Sequence, residues 1–180
     1  MEKKIIISGF GGQGVLLLGK LIAESALIQK LNTSWMPSYG PEMRGGTCNC
    51  TVQYADGEIA APVVDQPDLL IAMNEPSLDK FGPRVKAGGV IITNSNIVFK
   101  KCDRKDVKVY QIPMDEIAKD INRRGANIVG LGAVVKLIGD LKEASAEQAI
   151  KMTFSDPDKV KFIDSNIECL KQGIKAAGKL

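Results

Sequence analysis

The chain has 180 residues, 44% hydrophobic and 25% charged, the make-up of an ordinary globular protein with room for one sizeable core. Its 24 basic and 21 acidic residues leave a formal charge of +3, too small a surplus to argue for nucleic acid or an anionic membrane as a partner. Aromatic residues make up 5% and histidine is absent, so the core must rest on aliphatic side chains and a histidine-ligated metal is excluded.

The opening Met1-Glu2-Lys3-Lys4 runs straight into Ile5-Ile6-Ile7, which reads as a strand over Lys4 to Ser8 and not as a signal peptide. Gly9 to Gly14 breaks the strand, and Val15 to Lys30 carries helical periodicity through Leu16, Leu17, Ile22, Ala23, Ala26 and Leu27. A second strand is expected over Thr33 to Met36, halted by Pro37, followed by the loop Ser38 to Gly46. Thr47 to Tyr54 is rich in β formers, and Ala55-Asp56-Gly57 predicts a hairpin turn with a return strand over Glu58 to Ala61.

Leu69 to Met73 reads as a buried strand, followed by a helix over Ser77 to Val85 and a strand over Val90 to Thr93. A further strand is expected over Val107 to Ile112, and Pro113 opens a helix through Asp115 to Arg123. Ile128 to Leu141 is an apolar helix whose Gly130, Gly132 and Gly139 point to close helix packing. Ser145, with Gln148 three residues on, predicts a capped helix, and a last amphipathic helix covers Asp158 to Ala177. The expectation is a single α/β domain over residues 1–180. It has a Rossmann-like, mostly parallel sheet with helices on both faces, a β-hairpin excursion and a helical C-terminal third. No apolar run approaches the roughly 20 residues needed to span a bilayer, and a cytoplasmic location is expected.

Two loops carry chemistry. Gly9-Phe10-Gly11-Gly12-Gln13-Gly14 satisfies G-x-G-x-x-G between a strand and a helix, the context in which backbone amides and a helix dipole meet a phosphate. A dinucleotide would want an acidic residue about 20 positions further on, and the second strand ends instead in Trp35-Met36-Pro37-Ser38. Binding of another anionic group and a purely structural glycine turn both stay open. Gly14 and Gly19-Lys20 have Walker A spacing, but Leu21 stands where Ser or Thr would hold magnesium, and that reading is rejected. The second loop, Tyr39-Gly40-Pro41-Glu42-Met43-Arg44-Gly45-Gly46, adds an arginine fork for carboxylate or phosphate. In an open sheet the two loops can lie side by side, so that Gln13 and Arg44 face a common surface. Cys48, Cys50, Cys102 and Cys169 form no CxxC pair and read as reduced thiols. Cys48 and Cys50, on one face of a strand, lack any visible activating group.

As a pair, Gly9 to Val15 and Ser38 to Thr47 resemble the gamma subunits of 2-oxoacid:ferredoxin oxidoreductases. Pro67-Asp68-Leu69-Leu70-Ile71-Ala72-Met73 and Asn127-Ile128-Val129-Gly130-Leu131-Gly132-Ala133 are similar to the same family, and the likeness runs to about Ala177. Tyr39-Gly40-Pro41-Glu42 before Arg44-Gly45-Gly46 looks closer to the 2-oxoglutarate and branched-chain members than to the indolepyruvate ones. The resemblance implies a subunit that completes an enzyme and is inactive alone. Alpha, beta and ferredoxin-like delta subunits would hold thiamine diphosphate, magnesium and iron–sulfur clusters, and ferredoxin would accept the electrons. It implies contact with coenzyme A or a partner subunit through Gly9, Gly11, Gly12, Gln13 and Gly14, and through Tyr39, Arg44, Gly45 and Gly46. No catalytic or metal-ligating residue is expected. The competing expectations are a free-standing Rossmann-type nucleotide-binding oxidoreductase and a flavodoxin-like electron carrier, the latter resting only on Trp35 and Tyr39 as a stacking pair.

Overall fold

The computed structural model describes residues 1–39 and 46–179. Its strands are β1 (Glu2–Phe10), β2 (Asn32–Tyr39), β3 (Thr47–Ala55), β4 (Leu69–Ala72), β5 (Val90–Asn94) and β6 (Lys108–Ile112). The helices are α1 (Val15–Ile28), α2 (Glu75–Phe81), α3 (Met114–Ala118), α4 (Ala126–Ile138), α5 (Glu143–Thr153) and α6 (Ile163–Ala177). The strands form one sheet in the order β2-β3-β1-β4-β5-β6. β1, β4, β5 and β6 are parallel neighbours, whereas β3 is antiparallel to both β1 and β2.

Period-two alternation sorts each buried strand onto two cores. Ile5 and Ile7 of β1, Leu69 and Ile71 of β4, and Ile92 of β5 join the larger cluster with α1, α3, α4, α5 and α6. Ile6, Leu70, Ala72 and Ile91 face the other way, against Leu78 and Phe81 of α2 and Val85 just beyond. Helices therefore cover both faces, unequally, and the C-terminal third is helical.

Pro37 does not halt the second strand. β2 lies at the sheet edge and runs on to Tyr39, because an edge strand tolerates a residue without an N–H. The return strand expected over Glu58 to Ala61 does not form. β3 pairs back onto β2, so the hairpin is β2–β3, and the segment after Asp56 is pinned by Gln53 Nε2 donating to Ala61 O at 2.7 Å. Since β2 is antiparallel to β3 and β3 to β1, β2 and β1 run the same way and end at the same edge. They are not adjacent, so β1–α1–β2 is not the parallel unit on which a dinucleotide fingerprint depends.

Two glycines fix the helical third. A Cβ on Gly132 of α4 would lie 2.1 Å from Leu170 O, and one on Gly173 of α6 would lie 2.1 Å from Val129 O, so the two helices touch backbone to backbone. Gly139 instead ends α4 with φ 75°, a left-handed C-cap. Ser145 is the third residue of α5 and buried, not its cap. The entry to α5 is held from afar, by Lys142 N–H donating to Gln29 Oε1 at 2.6 Å. The helix expected from Pro113 to Arg123 closes after Ala118, leaving Asn122-Arg123-Arg124-Gly125 as a turn into α4. No described helix is long and apolar enough to cross a membrane.

Candidate functional site

α1 leaves β1 toward the larger core and α2 leaves β4 toward the smaller one. The chain thus diverges between two neighbouring parallel strands, which is where an open α/β sheet leaves a crevice at its carboxyl edge. A cleft of about 660 Å³ lies there, lined by Gly12, Gln13 and Gly14, Met73 after β4, Asn94 at the end of β5, Asp115, Arg123, Arg124 and Asn127 among others.

The glycine loop builds one wall. Gly14 is the N-cap of α1 with φ 75° and ψ 21°, and a Cβ there would lie 2.5 Å from Asn127 Nδ2. Only glycine lets the start of α1 approach the start of α4, where Asn127 Nδ2 donates to Gly14 O at 3.3 Å. Gly12 has φ 103° with open space around its missing side chain. A Cβ on Gly9 would meet Gln13 Oε1, Met73 Cβ and Val15 Cγ2 within 2.9 Å, so Gly9 serves the packing of α1 on the sheet.

Not all of the expected amides are bare. Gly11 N–H donates to Gly46 O at 2.9 Å and Gln13 N–H to Phe10 O at 3.2 Å, because the turn closes on itself and on the second loop. The Gln13 side chain is likewise engaged: Oε1 accepts from Phe10 N–H at 2.6 Å and Nε2 donates to Met73 O at 2.9 Å. Gln13 thus staples the ends of β1 and β4 together. What faces the cleft is the first turn of α1, whose amides have no intrahelical partner, and the start of α4, also without a side-chain cap. Two helix N-termini meeting one cavity make it favourable for an anion.

Gly46 reaches the first loop, and Tyr39 ends β2 at the same edge opposite Cys48. Arg44 and Gly45, with Gly40 to Met43, lie outside the described residues. The cations the structure does place are Arg123 and Arg124, exposed on the turn before α4. That turn is anchored. Asn122 Nδ2 donates to Asn166 Oδ1 at 2.9 Å, Arg124 N–H donates to Asn122 Oδ1 at 3.1 Å, and Gly125 packs where a Cβ would strike Cys169 Sγ. Asn94, Asp115, Arg123, Arg124 and Asn127 were not singled out by sequence reasoning. The available signal was a basic pair ahead of an apolar helix.

Three of the thiols are held protonated by burial. Burial against α1 pushes Cys50 up to about 12 and burial raises Cys48, while burial of Cys169, on α6 against the turn at Gly125, pushes it up to about 11. Among the described residues no group of three or more His, Cys, Asp or Glu is placed to hold a metal ion.

The family described as pyruvate ferredoxin/flavodoxin oxidoreductase matches residues 4–176. The ketoisovalerate oxidoreductase subunit VorA of Methanothermobacter marburgensis is 41% identical over 181 residues, which cover 99% of this chain and 37% of that protein. The chain therefore spans little more than a third of that relative's length. The 2-oxoglutarate synthase subunit KorC of Methanocaldococcus jannaschii is 37% identical over 154 residues, covering 83% of this chain and 82% of its own. Among solved structures, the keto/oxoacid ferredoxin oxidoreductase gamma subunit of Geobacter sulfurreducens superposes with a TM-score of 0.83 at 31% identity, covering 99% of each chain. With Gly46 hydrogen-bonded to the glycine loop and the match running almost end to end, this chain belongs to the pyruvate ferredoxin/flavodoxin oxidoreductase family.

Proposed function

We propose that this chain is the gamma-type part of a 2-oxoacid:ferredoxin oxidoreductase, which converts a 2-oxoacid to its acyl-CoA while reducing ferredoxin. In this reading the chain completes the enzyme without carrying out the chemistry. Thiamine diphosphate, magnesium and iron–sulfur clusters sit in alpha, beta and ferredoxin-like delta partners, and the assembly is cytoplasmic. The similarity to a ketoisovalerate and a 2-oxoglutarate relative favours a branched-chain 2-oxoacid or 2-oxoglutarate as substrate.

The observation that carries the proposal is the cleft where the starts of α1 and α4 converge beside Arg123 and Arg124. Coenzyme A supplies a thiol acceptor for the acyl group and brings a phosphate-rich end that must be held. The first-turn amides of α1 and α4 and the two guanidiniums suit that anionic part, since both kinds of donor favour phosphate. Gln13 and Gly14 line and fix the wall. From the likeness of the loop motifs, Tyr39, Arg44 and Gly45 would contact coenzyme A or a partner subunit, and Gly46 is hydrogen-bonded to the first loop.

The test is purification of the native complex and assay on a panel of 2-oxoacids with coenzyme A and ferredoxin. Copurification with larger subunits and turnover only in the complex are expected. Turnover by the isolated chain with a nicotinamide or flavin nucleotide would overturn the reading. Arg44→Ala separates the two roles of the second loop: a raised apparent KM for coenzyme A makes it a ligand contact, and lost assembly at unchanged KM makes it an interface residue.

A further inference from the structure

The cleft carries charge of both signs that is not mutually neutralised. Arg123 and Arg124 line it near the helix starts, and Asp115 lines it from the start of α3. Among the described residues, neither arginine forms an ion pair with Asp115 or with any other carboxylate.

Asp115 is exposed but held. Asn94 is fully buried at the end of β5, and its Oδ1 accepts from Met114 N–H at 3.2 Å and Asn96 N–H at 3.3 Å. Those two donors fix the orientation of the amide, since a flip would set its NH₂ against two N–H groups. Nδ2 must then face Asp115, and it donates to Oδ2 at 2.6 Å. From the backbone side, Asn96 Oδ1 accepts from Asp115 N–H at 3.0 Å and Glu116 N–H at 3.2 Å. A buried side chain with no freedom to turn thus aims one carboxylate oxygen, and the other oxygen has no partner among the described residues.

A ligand that is only anionic gains at the arginine end and is repelled at the Asp115 end. One that joins an anion to a hydroxyl or amine donor satisfies both. We propose that Asp115 is a specificity-determining residue of the cleft, its unpartnered oxygen accepting an O–H or N–H from a ligand whose phosphate lies by Arg123, Arg124 and the helix starts. The ligand class is a nucleotide, which carries phosphate and donor groups in one molecule. The inference rests on the reading of this cleft as the coenzyme A site and adds a residue that selects against bare polyanions.

The test titrates the assembled enzyme, wild type and Asp115→Asn, with coenzyme A and with inorganic pyrophosphate as separate probes. The asparagine can still accept from Asn94 but turns an N–H toward the cleft. Coenzyme A should bind at least about tenfold more weakly, the loss of a hydrogen bond to a charged acceptor. Pyrophosphate should bind about two- to fivefold more tightly at low salt, as a like charge is removed. Asp115→Ala, which introduces no donor, should weaken coenzyme A to the same degree. Both probes moving in the same direction, or coenzyme A unmoved in both variants, overturns the role of Asp115 and leaves the cleft assignment standing. A wild type that binds neither probe removes both.

Discussion

Replacing Gly14 by alanine tests the close approach of α1 and α4 on which the cleft depends. At φ 75° a residue with a Cβ costs about 1–2 kcal/mol. The new Cβ would also lie 2.5 Å from Asn127 Nδ2 and 2.7 Å from its Cγ, and such overpacking costs about 1–3 kcal/mol. Together these predict a loss of about 2–5 kcal/mol, or about 5–15 °C in Tm for a chain of this size. Asn127→Ala alone removes one long hydrogen bond, about 1 kcal/mol. In the double variant most of the steric part vanishes while the backbone strain stays, so its loss should fall short of the sum by about 1–3 kcal/mol. Gly12→Ala is the control: φ is 103° with nothing within 4 Å of the added Cβ, so it should be strained yet uncoupled to Asn127. Urea unfolding followed by circular dichroism gives all of these values. Additivity of Gly14→Ala and Asn127→Ala within about 0.5 kcal/mol would refute the contact.

Gly132→Ala sets a Cβ against the Leu170 carbonyl and the Ile174 amide. It should lose at least about 2 kcal/mol despite the better helix former, whereas Gly57→Ala, in open space, should gain about 0.5–1 kcal/mol by urea midpoint. Gln13→Glu keeps the acceptor for Phe10 N–H but turns a carboxylate toward Met73 O, and Tm should report a loss of about 1–3 kcal/mol. The buried Cys50 thiol is raised from an ordinary value near 9 to about 12, so the folded state holds its proton longer than the unfolded one. Its contribution is full below about pH 9 and is lost as pH rises toward about 12, at a slope near 1.4 kcal/mol per pH unit. Cys50→Ala should flatten the fall in urea midpoint between pH 8.5 and 10.5, values chosen to bracket roughly the onset of that window.

Much of this was legible in the sequence where local pattern and tertiary role agree. Ile5-Ile6-Ile7 and Leu69 to Ala72 are unbroken apolar runs because both faces of those strands are buried, and the glycines at 9 and 14 mark a turn that only glycine can make. Reading failed where a distant partner decided the outcome. Pro37 stays in a strand because, among the described residues, β2 is the edge of the sheet. Ser145 yields its expected place to an α5 entry held by Gln29, more than a hundred residues away. β3 pairs with β2 and with β1, so no return strand is taken up after Asp56-Gly57. Arg123 falls at the end of a helix expected from Pro113, and only the fold, which closes that helix at Ala118, sets Arg123 and Arg124 on a turn beside the glycine loop.

The central claim is that the carboxyl edge of β1 and β4 holds the anionic part of coenzyme A through Arg123 and Arg124. The most direct measurement is the pair of apparent KM values, for coenzyme A and for the 2-oxoacid, of the assembled enzyme carrying Arg123→Ala and Arg124→Ala. The account predicts a rise of about tenfold or more for coenzyme A, the loss of charge-assisted hydrogen bonds, with the 2-oxoacid value within about twofold of wild type. An unchanged value for coenzyme A, or an equal rise in both, would contradict it.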